Sequence, residues 1–106
     1  MPIGGFINNL PPALFLLVHI VAFLVGTYLA YRSFEGAAPL LGWGFTLYAL
    51  AEISYMTYHL DWTVFLFAHT ISEVLDLVGF VLVFAGAART LAPRARAGAR
   101  REATSP

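Results

Sequence analysis

The sequence predicts an all-α integral membrane protein with three transmembrane helices in an up-down-up bundle, the N-terminus outside and the C-terminus in the cytoplasm. Of the 106 residues, 59% are hydrophobic and only 11% are charged, whereas soluble proteins have about 25% charged residues. Long uncharged runs recur along the chain. The basic residues all fall on one side of the predicted topology. We therefore expect the chain to reside in the lipid bilayer.

The first two predicted spans cover about residues 11–31 and 40–60. No residue between Pro11 and Tyr31 is charged, and this run has about the 20 residues that cross a hydrocarbon core of roughly 30 Å. Gly36 and Pro39 indicate the break before the second span.

The third predicted span covers about residues 62–91. Asp61 indicates a tight turn and a cap for the third helix, and Pro93 indicates the end of that helix. Residues 1–92 are therefore expected to form a three-helix transmembrane domain. Residues 93–106 are expected to form a disordered basic cytoplasmic tail.

The basic residues set the predicted orientation. All six are arginines; Arg32 follows the first span and the others follow the third. The positive-inside rule makes that side cytoplasmic, and the expected location is the inner (cytoplasmic) membrane of a bacterium. The arginine tail has no aromatic residues on which bases would stack, so no nucleic-acid partner is expected.

The composition excludes several kinds of chemistry. The chain has no cysteine, so metal ligands must be nitrogen or oxygen atoms. It has no lysine either, which excludes a Schiff base to retinal. Phosphate-loop, nucleophile-elbow and zinc-protease motifs are absent from the sequence, and three helices enclose little volume for a substrate. We do not expect the chain to be an enzyme on its own.

Polar residues nevertheless form a stripe on each of the last two spans. One face of the third span, within an arc of roughly 60°, carries His69, Glu73 and Asp76. A similarly narrow face of the second span carries Tyr48, Glu52, Tyr55 and His59. Because the turn between the spans is short, we expect the two stripes to face each other. In the first span, Ala22, Gly26 and Ala30 indicate close packing that would turn His19 toward the other helices.

Counting about 1.5 Å per residue puts His19, Glu52 and His69 at one depth, roughly 12 Å below the outer edge of the membrane core. Glu73 lies one turn deeper. The leading hypothesis is a small membrane subunit that binds a cation, most simply a zinc, iron, manganese or copper ion. The predicted metal ligands are His19, Glu52, His69 and Glu73. The residues predicted to support these ligands or to accept protons are Asp76, His59 and Tyr55.

Other interpretations of the same residues stay open. His19 and His69 are also suitable axial ligands for a haem or a chlorophyll-type pigment. Chains of Asp, Glu and His within membrane helices commonly mark proton paths. A hydrogen-bonded polar core that fixes helix pairing is a further interpretation. The alternative class of protein is a non-catalytic accessory subunit of a respiratory or photosynthetic complex, whose polar residues pack helices or contact haem, pigment or quinone.

We expect a homo-oligomer or a larger membrane-protein complex in every case. Three helices cannot shelter two wide polar stripes from lipid on all sides.

Overall fold

The computed structural model describes the backbone of residues 3–104 and the side chains of residues 3–89, 91 and 98. A short 3-10 helix, Gly5–Asn9, precedes three α-helices, which are α1 (Pro12–Glu35), α2 (Pro39–His59) and α3 (Phe65–Thr104). Two segments, α1 and the Phe65–Arg89 part of α3, are long and apolar enough to cross a membrane. The 21-residue α2 is shorter and less apolar. The predicted all-helical fold is confirmed.

The end of α1 is a hydrogen-bonded reversal of the chain. The Ala38 N–H donates to the Ser33 carbonyl over 2.9 Å, and the Ala37 N–H donates to the Phe34 carbonyl over 3.2 Å. These two bonds make a Schellman motif, which places one residue in the left-handed region. That residue is Ala37, with φ 58°, and not the glycine that precedes it.

The end of α2 has the same motif and corrects the predicted role of Asp61. The Trp62 N–H donates to the Thr57 carbonyl over 2.9 Å, and the Asp61 N–H donates to the Tyr58 carbonyl over 3.0 Å. Asp61 has φ 63°, so it closes α2. It does not cap α3, which begins only at Phe65.

The last helix is longer than the sequence predicts. α3 continues through Pro93 to Thr104, where we expected a helix end and a disordered tail. Alanine and arginine, which are among the strongest helix formers, dominate the chain around Pro93 and favour helix on both sides of it. The side chains of the arginines beyond Arg89 lie outside the described residues.

The three helices form a row with α2 in the middle, not a closed bundle. α2 packs against both α1 and α3, and over the described residues no Cα atom of α1 lies within 8 Å of a Cα atom of α3. Small residues on both faces of α2 explain this arrangement, because they let a neighbouring helix approach on either side.

Small residues also make the contact between α1 and α2. Gly26 and Ala30 of α1 are buried, as the spacing of small residues predicts. A methyl group on Gly26 would lie 2.7 Å from Cδ1 of Tyr48 and 3.5 Å from Cβ of Ala49. The ring of Tyr48 therefore lies directly against the α1 backbone.

The backbones of α2 and α3 are closest at Gly44 and Gly79. A methyl group on Gly79 would lie 2.9 Å from the carbonyl oxygen of Gly44, which is too close for a real contact. Ser72, Gly79 and Gly86 follow one another at seven-residue spacing along this face. The Ser72 hydroxyl donates to the Ala51 carbonyl over 3.0 Å. This hydrogen bond links α2 and α3 at a point seven residues before Gly79 along α3.

Replacing Gly79 with alanine is expected to lower the free energy of unfolding by about 1–3 kcal/mol, because the added methyl group meets backbone atoms that cannot move aside. Thermal unfolding followed by circular dichroism in detergent measures this. The matched control is Gly98→Ala on the same helix, where a methyl group meets no atom within 4 Å. An equal effect of both substitutions would contradict the close approach.

Replacing Ala37 with glycine is expected to raise the free energy of unfolding by about 0.5–1 kcal/mol, because glycine adopts the left-handed conformation without steric strain. The control is Gly36→Ala, since Gly36 has an ordinary φ of −81° and its change is expected to stay within about 0.5 kcal/mol. Thermal unfolding in detergent measures both changes. A loss of stability in Ala37→Gly would contradict the left-handed conformation of Ala37.

Candidate functional site

All three histidines of the chain lie in one cluster of aromatic rings, at the end of the helices next to the α2–α3 turn. α1, α2 and α3 each contribute to it. The residues of this histidine–aromatic cluster are Phe15, His19, Tyr55, Tyr58, His59, Phe65 and His69.

The contacts between α1 and α2 in the cluster are face-to-face stacks. The His19 ring stacks on Tyr55 at 5.1 Å between centroids and on His59 at 5.2 Å. The His59 ring also stacks on Phe15 at 5.2 Å. The two imidazoles are thus held in a column of four rings, in the distance range at which aromatic pairs attract one another.

The α3 side of the cluster closes it into a circle. His69 stacks on Phe65 at 5.1 Å and lies 6.4 Å from the Tyr55 ring. Tyr58 meets Phe65 edge-on at 5.4 Å and His59 at 4.9 Å. The α2 rings therefore connect the rings of α1 to those of α3.

Our sequence analysis missed Phe15, Tyr58 and Phe65. A signal for two of them is present, because an aromatic residue precedes each histidine by four positions and so lies on the same helical face. The three pairs are Phe15 and His19, Tyr55 and His59, and Phe65 and His69.

The shortest polar contact between helices joins His19 and Glu52. Nδ1 of His19 lies 2.5 Å from Oε2 of Glu52. One hydrogen lies between them: either the imidazole N–H donates to a carboxylate, or a carboxylic O–H donates to the imidazole nitrogen. Glu52 is only 8% exposed, and it is the one buried residue among the described side chains that is not glycine, alanine or serine.

The other two carboxyl groups of the predicted site lie on α3. The Tyr55 hydroxyl donates to Oε1 of Glu73 over 3.3 Å, so the polar stripes of α2 and α3 do face each other. Glu73 is otherwise exposed. Oδ1 of Asp76 is buried and has no hydrogen-bond partner among the described residues.

The four predicted metal ligands are not brought together. Over the described residues, no three His, Asp or Glu side chains are grouped so that they could hold a metal ion. His19 pairs with Glu52, while Glu73 is bonded to Tyr55. Equal depth does not produce a joint site here, because α2 lies between the helices that carry His19 and His69. The geometry gives metal binding no support.

Haem or pigment ligation by His19 and His69 stays a prediction. In the structure each of these imidazoles packs face to face against an aromatic ring.

Fold and site together define a small all-helical protein with two helices suited to a membrane and a polar pair between α1 and α2. Comparisons with known protein families, with curated proteins and with solved structures found no match.

Tyr55 contacts α1 through its ring, which stacks on His19, and α3 through its hydroxyl, which bonds Glu73. The ring and the hydroxyl are therefore expected to make separate contributions to the free energy of unfolding. Tyr55→Phe keeps the stack on His19 and loses the bond to Glu73, which should lower the free energy of unfolding by at most about 1 kcal/mol. Tyr55→Leu also loses the stack and should lower it by about another 0.5–1.5 kcal/mol. Thermal unfolding measures both. Tyr31→Leu is the control, since Tyr31 is 61% exposed; equal effects of all three would contradict the proposed contacts.

Proposed function

We propose that the protein is a small integral membrane subunit whose His19–Glu52 pair binds a proton inside the membrane, close to its outer face. The observation that carries the proposal is the 2.5 Å contact between Nδ1 of His19 and Oε2 of the buried Glu52. A carboxyl group and an imidazole that share one hydrogen form the simplest cation site available to oxygen and nitrogen ligands.

In this proposal α2 crosses the membrane together with α1 and α3. Its 21 residues span about 31 Å at 1.5 Å per residue, close to the roughly 30 Å of a hydrocarbon core. α2 packs against both apolar helices, and its one acidic residue, Glu52, is buried against them. Because Glu52 is shielded from lipid, α2 can cross the membrane although it is less apolar than its neighbours.

The proposed orientation has the N-terminus outside and the C-terminus in the cytoplasm of a bacterial inner membrane. Arg32 lies in the last turn of α1, near the α1–α2 connection, and Arg89 lines a cavity with Ala38, Pro39 and Gly86 at the same end of the helices. The described arginines thus share one side, which the positive-inside rule makes cytoplasmic. The His19–Glu52 pair then lies toward the outer side.

A proton is the cation that this geometry favours over a transition metal. Structural and catalytic metal sites draw at least three ligands from the protein, and the described residues group no three. A shared proton needs only two basic atoms, one on each side of it. His19 and Glu52 supply both.

The neighbouring imidazole of His59 limits the positive charge that the site can hold. The His59 ring lies 5.2 Å from the His19 ring, and two imidazolium charges at that distance repel by about 3 kcal/mol at an effective dielectric constant of about 20. Between Asp76 and Arg89 the chain has no ionisable residue. We therefore propose a site reached from one side, not a path through the membrane.

We further propose that the subunit assembles with other copies of itself or with a larger complex. Glu73 lies on a helix that is apolar enough to cross a membrane, yet its side chain is exposed. A carboxyl group facing lipid is unfavourable by a few kcal/mol, so a protein partner is expected to cover it.

Infrared and NMR titration of the reconstituted protein test the proton site. Any change of pH that alters the carboxyl band of Glu52 is expected to alter the ring-nitrogen resonances of His19 as well, because interacting groups gain and lose protons as a pair. The band should disappear in Glu52→Gln, which preserves size and polarity but takes up no proton. It should persist in the control Glu35→Gln, since Glu35 is an exposed residue paired with Arg32.

Two results would overturn the proposal. One is a Glu52 band that stays constant over the pH range in which the protein is folded. The other is stoichiometric metal in the purified protein that His69→Ala removes, which would restore the four-ligand interpretation.

A further inference from the structure

A groove lies between α1 and α3, with α2 as its floor. It has a volume of about 240 Å³ and its walls are almost entirely apolar. Gly44 and Gly79 lie at the closest approach of α2 and α3 and leave space beside it. The residues that define the groove on the three helices are Val25, Leu29, Gly44, Tyr48, Asp76 and Val83.

Asp76 carries the one carboxyl group among the residues that line this groove, and no lysine, arginine or histidine is among them. Its Oδ1 atom is buried without a hydrogen-bond partner among the described residues. The other two intramembrane carboxyl groups differ from it, since Glu52 is paired with His19 and Glu73 with Tyr55. Because Oδ1 is shielded from solvent, the other oxygen of the carboxyl group is the one that a molecule in the groove would contact.

We propose that the groove binds a lipophilic amine, with its hydrocarbon part between α1 and α3 and its ammonium group on the carboxylate of Asp76. Charge complementarity selects the ammonium group. Asp76 and Glu73 lie one helical turn apart. No arginine is among the residues that line the groove; Arg32 lies one turn beyond Leu29, and Arg89 lies 13 residues beyond Asp76. A charged donor is also the stronger hydrogen-bond partner for a carboxylate.

Other occupants fit these observations less well. A helix of a second copy is about 10 Å across and too large for a groove of about 240 Å³. The acyl chain of a lipid matches the apolar walls, but it carries no positive charge to pair with the carboxylate of Asp76. The amine satisfies both features.

The proposed amine site does not depend on the proposed proton site. Neither His19 nor Glu52 lines the groove, so one proposal can be wrong while the other is correct.

The test uses two photoreactive probes with the same alkyl diazirine chain, one ending in a primary amine and the other in a hydroxyl group. The full chain, purified in detergent micelles, is irradiated with each probe, and the labelled residues are mapped by mass spectrometry. The amine is expected to label the groove around Leu29 and Val83. Labelling should fall by at least about tenfold in Asp76→Asn, which loses the charge-assisted bond, and should stay unchanged in the control Glu35→Gln.

A second variant keeps the test decisive if Asp76→Asn does not fold. Leu29→Trp fills the groove without changing Asp76, and it should reduce labelling by the amine to a similar extent. Equal labelling by the alcohol probe would show a binding site for hydrocarbon chains only and would overturn the proposal. Unchanged labelling in both variants, or labelling elsewhere on the chain, would overturn it as well.

Discussion

The burial of Glu52 is the constraint on which the arrangement of the helices depends. It is 8% exposed, while the other buried side chains that the structure describes are glycine, alanine or serine. A carboxyl group in an apolar interior is unfavourable by several kcal/mol unless it is paired. α1 must therefore hold His19 against it, and α3 must close over the other side. Close approach by small residues makes both contacts attainable, through Gly26 on one face and Ser72 on the other.

The central position of α2 divides the polar residues into separate groups. Its single polar stripe faces two neighbours, so Glu52 bonds to α1 while Tyr55 bonds to Glu73 of α3. Asp76 has neither partner and lies in the groove between the outer helices. The single site that equal depth suggests is thus divided into a hydrogen-bonded His19–Glu52 pair, a carboxyl group bonded to Tyr55 and a carboxyl group with an unpaired oxygen. Three different environments imply different chemistry for the three carboxyl groups.

The features that follow from the periodicity of the sequence were predicted correctly. Those that depend on which helices are neighbours were not. Hydropathy placed the helices to within a few residues at most ends, and the small-residue spacing in α1 correctly turned His19 toward Glu52. Counting residues along a helix gives depth but not which helix lies in the middle, so it does not show that α2 separates the helices that carry His19 and His69. Pro93 alone predicts a helix end, whereas the alanine and arginine residues around it favour a helix that continues. Ring stacking also depends on side-chain rotamers, which a helical wheel does not contain.

The stacked rings set the register in which His19 meets Glu52. α1 and α2 are antiparallel, and each carries an aromatic residue four positions before a histidine. Each histidine therefore stacks on the other helix's aromatic residue, Phe15 with His59 and His19 with Tyr55. Sliding α1 by one turn would break both stacks and leave Glu52 without its imidazole. The aromatic rings add roughly 0.5–1.5 kcal/mol per pair, and that energy opposes every register in which the buried carboxyl group is unpaired. The histidine–aromatic cluster thus stabilises the register in which Glu52 is hydrogen-bonded to His19.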